Sequence, residues 1–214
     1  MKPYYDAKEN DRVGMARESF SGRLLTDRQF DEAMTITGII EAEIQHSGSF
    51  KDKLGDYAYA FARTEKFDAT KAETIIRDLF KERTGQTMNQ MREDFAKREE
   101  AITDNHRAQA YSQACAIGEF MENGIKLSFN RTYAHQARQL AEEIGVTDAC
   151  AKRLMREEFK AAENAELFDW GKELDEKYYR PQIEAEKAER AAPQEPEKRQ
   201  QSLGRSFRSR PGPQ

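Results

Sequence analysis

Apolar residues recur along most of this chain at spacings of three and four, the period that places side chains on one face of a helix. The first such stripe follows Thr26, which with Gln29 forms a capping box that predicts a helix start. Residues 47–49, Ser-Gly-Ser, predict the end of this helix. The stripe comprises Phe30, Ala33, Met34, Thr37, Ile40 and Ile44.

The same period predicts two more helices in the first 85 residues. One covers about 50–64 and carries its own apolar stripe. The next is expected to start at a second capping box, made by Thr70 and Glu73, and to end at Gly85, a residue type favoured just after a helix.

A longer helical segment follows a third capping box, formed by Thr87 and Gln90. It could continue past residue 120 as one helix, or be interrupted at 103–105, where Thr-Asp-Asn resembles a new helix start. The only alternating pattern typical of a strand is short and isolated, at 125–129. The sequence therefore predicts an all-α protein.

The domain organisation expected from this pattern is a helical bundle over residues 24–180. A polar N-terminal segment, 1–23, precedes the bundle, and a charged helix with a Pro/Glu/Ala linker, 181–197, follows it. The last part, 198–214, is expected to be a basic disordered tail. Only 37% of residues are hydrophobic and 35% are charged, so we expect a thin core with large charged faces.

The composition also limits the location of the protein. No apolar stretch approaches the roughly 20 residues needed to cross a bilayer, so no membrane insertion is expected. No apolar signal-peptide region is apparent near the N-terminus, and two cysteines make a poor disulfide framework. We therefore expect a bacterial cytoplasmic protein, with translocation possible only by a route independent of a signal peptide.

Charge is divided unevenly along the chain. The formal net charge is −4, yet residues 198–214 contain only cations, Lys198, Arg199, Arg205, Arg208 and Arg210, and no carboxylate. The first 197 residues therefore carry about −9. A basic end on an acidic body is typical of an interaction tail.

The arginine cluster at Arg199, Arg205, Arg208 and Arg210 resembles the C-terminal signals of type IV secretion substrates and conjugative transfer proteins. This resemblance implies a secretion or coupling-protein receptor as partner, because guanidinium groups pair bidentately with carboxylates on an acidic surface. Two alternatives stay open for the tail: contact with nucleic acid, with Phe207 available to stack on bases, or a solvated end that binds nothing.

Residues 139–155 resemble the helix-turn-helix motif. Ala141 is the small residue where two helices approach, Gly145 lies in the turn, and Val146 and Leu154 are apolar positions that close the angle. The resemblance implies DNA as a partner, with the second helix in the major groove. The residues at the matching positions are Thr147 as N-cap and Asp148, Ala149, Lys152, Arg153 and Arg156. An ordinary two-helix corner is the alternative.

No residue pattern indicates catalysis. Glu43 and His46 form a single Glu-x-x-His pair, whereas di-metal helical bundles use this pair twice. Cys115 and Cys150 lie among small residues, as buried structural cysteines do. We therefore expect a non-enzymatic protein with no cofactor and no metal.

An aromatic-rich stretch follows the helix-turn-helix segment, between residues 159 and 179. We expect it to pack back on the bundle. If it were exposed, Trp170, the only tryptophan, would be the anchor for a partner.

Three functions are compatible with these patterns. The first is a mobile-element protein, a substrate or accessory factor of a type IV secretion or conjugation system. The second is a helix-turn-helix DNA-binding regulator. The third is a protein-interaction or chaperone-like bundle.

Overall fold

The computed structural model describes residues 25–124 and 126–191, and all regular structure in this part of the chain is helical. The expected all-α fold is therefore confirmed. The helices are α1 (Asp27–Ser47), α2 (Lys51–Glu65), α3 (Ala69–Thr84), α4 (Met88–Glu100), α5 (Asp104–Glu122), α6 (Phe129–Ile144), α7 (Asp148–Glu163), α8 (Leu167–Leu174) and α9 (Arg180–Ala191). A π-helical turn, Asp175–Tyr179, joins α8 to α9. The expected N-terminal segment 1–23, and the linker and tail after residue 191, lie outside the described residues.

Helices α1 to α4 enclose one hydrophobic cluster, with Phe61, Leu79 and Phe80 fully buried inside it. All six residues of the predicted α1 stripe are buried, and the capping boxes that open α1 and α4 are both present. An ion pair with little solvent exposure, Arg83 to Glu41 at 3.0 Å, joins α3 to α1. The sequence pattern therefore predicted both the ends and the buried face of α1.

Helices α5 to α8 enclose a second cluster, centred on the fully buried Ile117 and Leu140. The first backbone N–H of α6, at Phe129, donates to Asp175 Oδ1 at 2.7 Å, so a side chain from the π turn caps this helix from a distance. Gly171 allows α8 to approach α6 closely: a Cβ at this position would lie 2.5 Å from the Phe129 ring.

The two clusters share no residue, and the extent of the expected bundle over 24–180 stays a prediction. They are joined covalently through the short break between α4 and α5, and α1 also packs against α7. The described residues therefore form two helical halves, here called the N-half (α1 to α4) and the C-half (α5 to α9).

The start of α3 differs from the predicted capping box at Thr70 and Glu73. Asp68 is the N-cap, and its carboxylate accepts the backbone N–H of Thr70 at 2.9 Å and of Lys71 at 3.4 Å. Aspartate is a better N-cap than threonine, so the helix begins two residues earlier than the pattern of Thr70 and Glu73 indicated. That prediction was wrong.

The segment after Met88 forms two helices rather than one, α4 and α5. The interruption lies where Thr-Asp-Asn was noted: Thr103 caps α5 and His106 completes a capping box with it. The strand considered at 125–129 does not form over its described residues, because 126–128 are irregular and Phe129 begins α6.

Candidate functional site

The segment that resembles a helix-turn-helix forms two helices joined by a three-residue turn. Gly145 has a φ of 73°, a left-handed conformation that glycine adopts without steric cost. Its N–H donates to the carbonyl of Ala141 at 2.9 Å, and Val146 is buried against the C-half. Thr147 caps α7 by accepting the backbone N–H three residues later. Two helices therefore meet at a capped turn, while the helix-turn-helix assignment and DNA binding both stay predictions.

Residues near the C-terminal end of α4 form hydrogen bonds with this turn. Arg98 Nη1 donates to the carbonyl oxygen of Gly145 at 3.3 Å. The Glu99 carboxylate accepts two hydrogen bonds from Thr147, one from its backbone N–H at 3.3 Å and one from its hydroxyl. The N-half therefore contacts the very residues that link the two helices of the motif.

The first residue of α7 also faces the N-half. Asp148 Oδ2 lies 3.0 Å from Nδ1 of His46 on α1 and 3.8 Å from Nε of Arg138 on α6. Its side chain is only 13% exposed. In the helix-turn-helix family the first turn of the second helix meets the bases, but here α1 and α4 contact that turn.

The other predicted DNA-contacting residues lie further along α7. Ala149, Arg153 and Arg156 are exposed and Lys152 is half-buried. Arg153 Nε is 4.0 Å from the carboxylate of Glu157, one turn later. Four of the predicted positions are thus accessible from solvent in whole or in part, whereas Thr147 and Asp148 contact the N-half.

A cleft of about 860 Å³ lies between the two halves beside this turn. Ile39 from α1 and Phe95 from α4 supply its apolar wall on the N-half, and Val146 supplies apolar surface on the C-half. Charged groups from both halves, Arg98 and Glu142 among them, also line it. Sequence reasoning missed this cleft because its walls come from segments about 50 to 100 residues apart.

Trp170 packs inside the C-half rather than projecting from it. Its ring stacks on Phe159 with centroids 4.9 Å apart, and its edge lies against Gly118. The expectation that the aromatic stretch packs back on the bundle is confirmed for these residues. The exposed aromatic residue of the stretch is instead Phe168, which is 40% exposed and was not singled out from the sequence.

Burial changes the acidity of two groups near the corner. It raises the pKa of Tyr133 to about 12 and raises the pKa of the Cys150 thiol above its usual value. Both groups are therefore neutral near pH 7. Among residues 25–124 and 126–191, no three His, Cys, Asp or Glu side chains are grouped closely enough to hold a metal ion.

The three histidines lie apart from one another. His46 contacts Asp148 at the boundary of the two halves, His106 belongs to the α5 capping box, and His135 is exposed on α6. The predicted tail residues Arg199, Arg205, Arg208 and Arg210 were noted from the sequence alone and lie outside the described residues.

Comparisons of the chain with protein-family models, curated proteins and solved structures find no match. In the part of the chain that the structure describes, no helix is both long enough and apolar enough to span a bilayer. The function therefore has to be argued from the chain itself.

Proposed function

We propose that this chain is a non-enzymatic protein of a bacterial mobile element, a substrate or accessory factor of a type IV secretion or conjugation system. Its receptor would recognise the tail through Arg199, Arg205, Arg208 and Arg210. The observation that carries the proposal is the division of charge: five cations and no carboxylate in residues 198–214, against about −9 in the rest of the chain. A signal of this kind needs neither a catalytic site nor a cofactor.

The position of α9 supports a tail that is accessible to a receptor. None of the described side chains of α9 is buried, and the helix packs mainly against the π turn that precedes it. Neither hydrophobic cluster includes a residue of α9. Because the two clusters do not depend on this helix, a change beyond residue 191 is expected to leave the folding of the body intact.

The receptor surface that fits this tail is acidic. An arginine guanidinium forms two parallel hydrogen bonds to one carboxylate, a geometry that a lysine ammonium cannot reproduce. Recognition would therefore depend on arginine itself as well as on charge. Before transfer, the protein would reside in the bacterial cytoplasm.

The experiment compares two substitution variants and one deletion variant of the tail with the wild type in a transfer assay to recipient cells. Replacing Arg205, Arg208 and Arg210 by glutamine should abolish transfer, because it removes the charge. Replacing the same three by lysine keeps the charge and should restore transfer only in part. Deletion of 203–214 should match the glutamine variant, with an unchanged thermal melting curve as the folding control. Undiminished transfer of the deletion variant would refute the proposal.

The second candidate is a DNA-binding regulator, favoured by the left-handed turn at Gly145 and the capped start of α7. Under this function, Lys152→Ala combined with Arg153→Ala should remove a salt-dependent mobility shift of duplex DNA. Absence of any shift by the wild type in low salt excludes it. A third candidate, a protein-interaction bundle, would use the cleft between the halves and would be unaffected by either set of substitutions.

A further inference from the structure

One region of the acidic body is locally basic. From Gly124 to Ala141 the sequence contains Lys126, Arg131, His135 and Arg138 but no aspartate or glutamate. After Glu142, Glu143 and Asp148, the exposed part of α7 adds further cations before the acidic residues at 157–158. Because 35% of the whole chain is charged with an acidic excess, a stretch of this length without one carboxylate distinguishes this surface from the rest of the body.

Lys152 and Arg156 of α7, like Lys126 and Arg131, have no acidic partner among the residues that the structure describes. About half of the arginines and lysines on the other helices lie within 4 Å of a carboxylate, as Arg107 does with Glu158 at 2.6 Å. In contrast, Arg131, Lys152 and Arg156 form no ion pair with any residue that the structure describes. The Arg156 side chain instead donates through Nε to the carbonyl oxygen of Lys152 at 3.3 Å, which leaves its terminal nitrogens available.

An exposed aromatic ring borders the same surface. Phe168 lies edge-on to the rings of Tyr133, at 5.4 Å between centroids, and Phe129, at 5.8 Å. The Tyr133 hydroxyl donates to the carbonyl oxygen of Lys152 at 2.8 Å, the same oxygen that Arg156 contacts. The Phe168 ring and the cations of α7 are therefore linked through one tyrosine.

We propose that this surface, defined by Lys152, Arg156 and Phe168, binds single-stranded nucleic acid without sequence preference. The unpaired cations would neutralise phosphates, and the Phe168 ring would stack on a base, the combination that single-strand binding surfaces use. A stacking contact requires a base outside a duplex. The acidic remainder of the body repels phosphates and confines the strand to this surface. The proposal is independent of the tail and of transfer.

Binding is measured by fluorescence polarisation of a labelled oligothymidylate of about 12 nucleotides, with full-length protein at several salt concentrations. For two phosphate contacts, the logarithm of the binding constant should fall against the logarithm of salt with a slope of about −1.4. Replacing Lys152 and Arg156 together by glutamine should weaken binding at least tenfold and flatten this slope. Phe168→Ala should weaken binding roughly 5- to 150-fold and leave the slope unchanged.

Two controls separate this surface from other sources of charge. Lys172→Gln removes a neighbouring cation that is paired with Asp169 at 2.7 Å, and it should leave binding unchanged. A full-length variant with glutamine at Arg205, Arg208 and Arg210 reports the contribution of the tail. Three results would overturn the proposal: no binding of the oligonucleotide by the wild type, loss of binding only in the tail variant, or tighter binding to duplex than to single strand.

Discussion

The contact of Gly171 with Phe129 gives the sharpest test of how the C-half is held together. The substitution Gly171→Ala adds one methyl group to α8 where it crosses α6. That methyl carbon would lie 2.5 Å from two carbons of the buried Phe129 ring. Carbon atoms pack favourably at about 3.5–4.0 Å, so the ring or the helix must move by roughly 1 Å.

The magnitude follows from two opposing terms. Overpacking of a buried contact costs about 1–3 kcal/mol, and the severity of this overlap with a ring favours the upper value. Alanine is about 1 kcal/mol better than glycine inside a helix. The net expectation is a loss of about 2 kcal/mol in the free energy of unfolding, which corresponds to a fall in Tm of about 4–8 °C for a body of this size.

The assay is urea denaturation followed by the fluorescence of Trp170, the only tryptophan, which is next to Gly171 and stacks on Phe159. The matched control is Gly55→Ala in α2, where an added methyl group would meet no atom within 4 Å. This control should raise stability by about 1 kcal/mol. If Gly171→Ala were as stable as Gly55→Ala, the close approach of α8 to α6 would be refuted.

Three further substitutions or reactions test individual contacts. Glu41→Ala removes the carboxylate that lies 3.0 Å from the poorly exposed guanidinium of Arg83. This change should lower the free energy of unfolding by about 3 kcal/mol in urea, and an unchanged midpoint would contradict it. Burial raises the pKa of Tyr133 to about 12, so the neutral phenol stabilises the fold fully below pH about 10 and this stabilisation is lost as the pH rises towards 12. Tyr133→Phe should therefore flatten the decline in Tm between these pH values. Burial raises the pKa of the Cys150 thiol, so iodoacetamide should alkylate the half-exposed Cys115 first, and equal rates would contradict the burial.

Local signals in the sequence predicted most helix boundaries. The capping boxes at Thr26 and Thr87 and the helix end at Gly85 are all present. These features depend on residues within one helical turn, so they can be predicted from the sequence without tertiary information. Where two local signals competed, as at Asp68 and Thr70, the stronger cap determined the start of the helix.

The division into two halves could not be predicted from periodicity. An apolar stripe shows that a helix buries one face, but it does not show against which helices that face packs. Helices α1 and α5 each bury one face, yet these faces belong to separate clusters. The cap of α6 could not be predicted from the sequence for the same reason, since Asp175 is 46 residues from the backbone N–H that it accepts.

The candidate site was predictable only in part. The turn at Gly145 and the cations of α7 follow from the order of residues. The contacts of Thr147 and Asp148 with α4 and α1 do not, because Glu99 and His46 are far away in the chain. These long-range contacts are what distinguish this corner from an isolated helix-turn-helix.

The contacts of Gly145, Thr147 and Asp148 with the N-half also affect whether duplex or single-stranded nucleic acid fits this corner. Entry of α7 into a major groove would require its first turn to leave α4 and α1, which breaks the hydrogen bonds of Gly145, Thr147 and Asp148 to the N-half. At about 1 kcal/mol for each of the three residues, this opening costs about 3 kcal/mol and lowers the affinity for duplex roughly 150-fold. A strand that contacts Lys152, Arg156 and Phe168 needs no opening, since these side chains reach solvent in the closed arrangement. The closed arrangement therefore favours single-stranded over duplex nucleic acid at this corner.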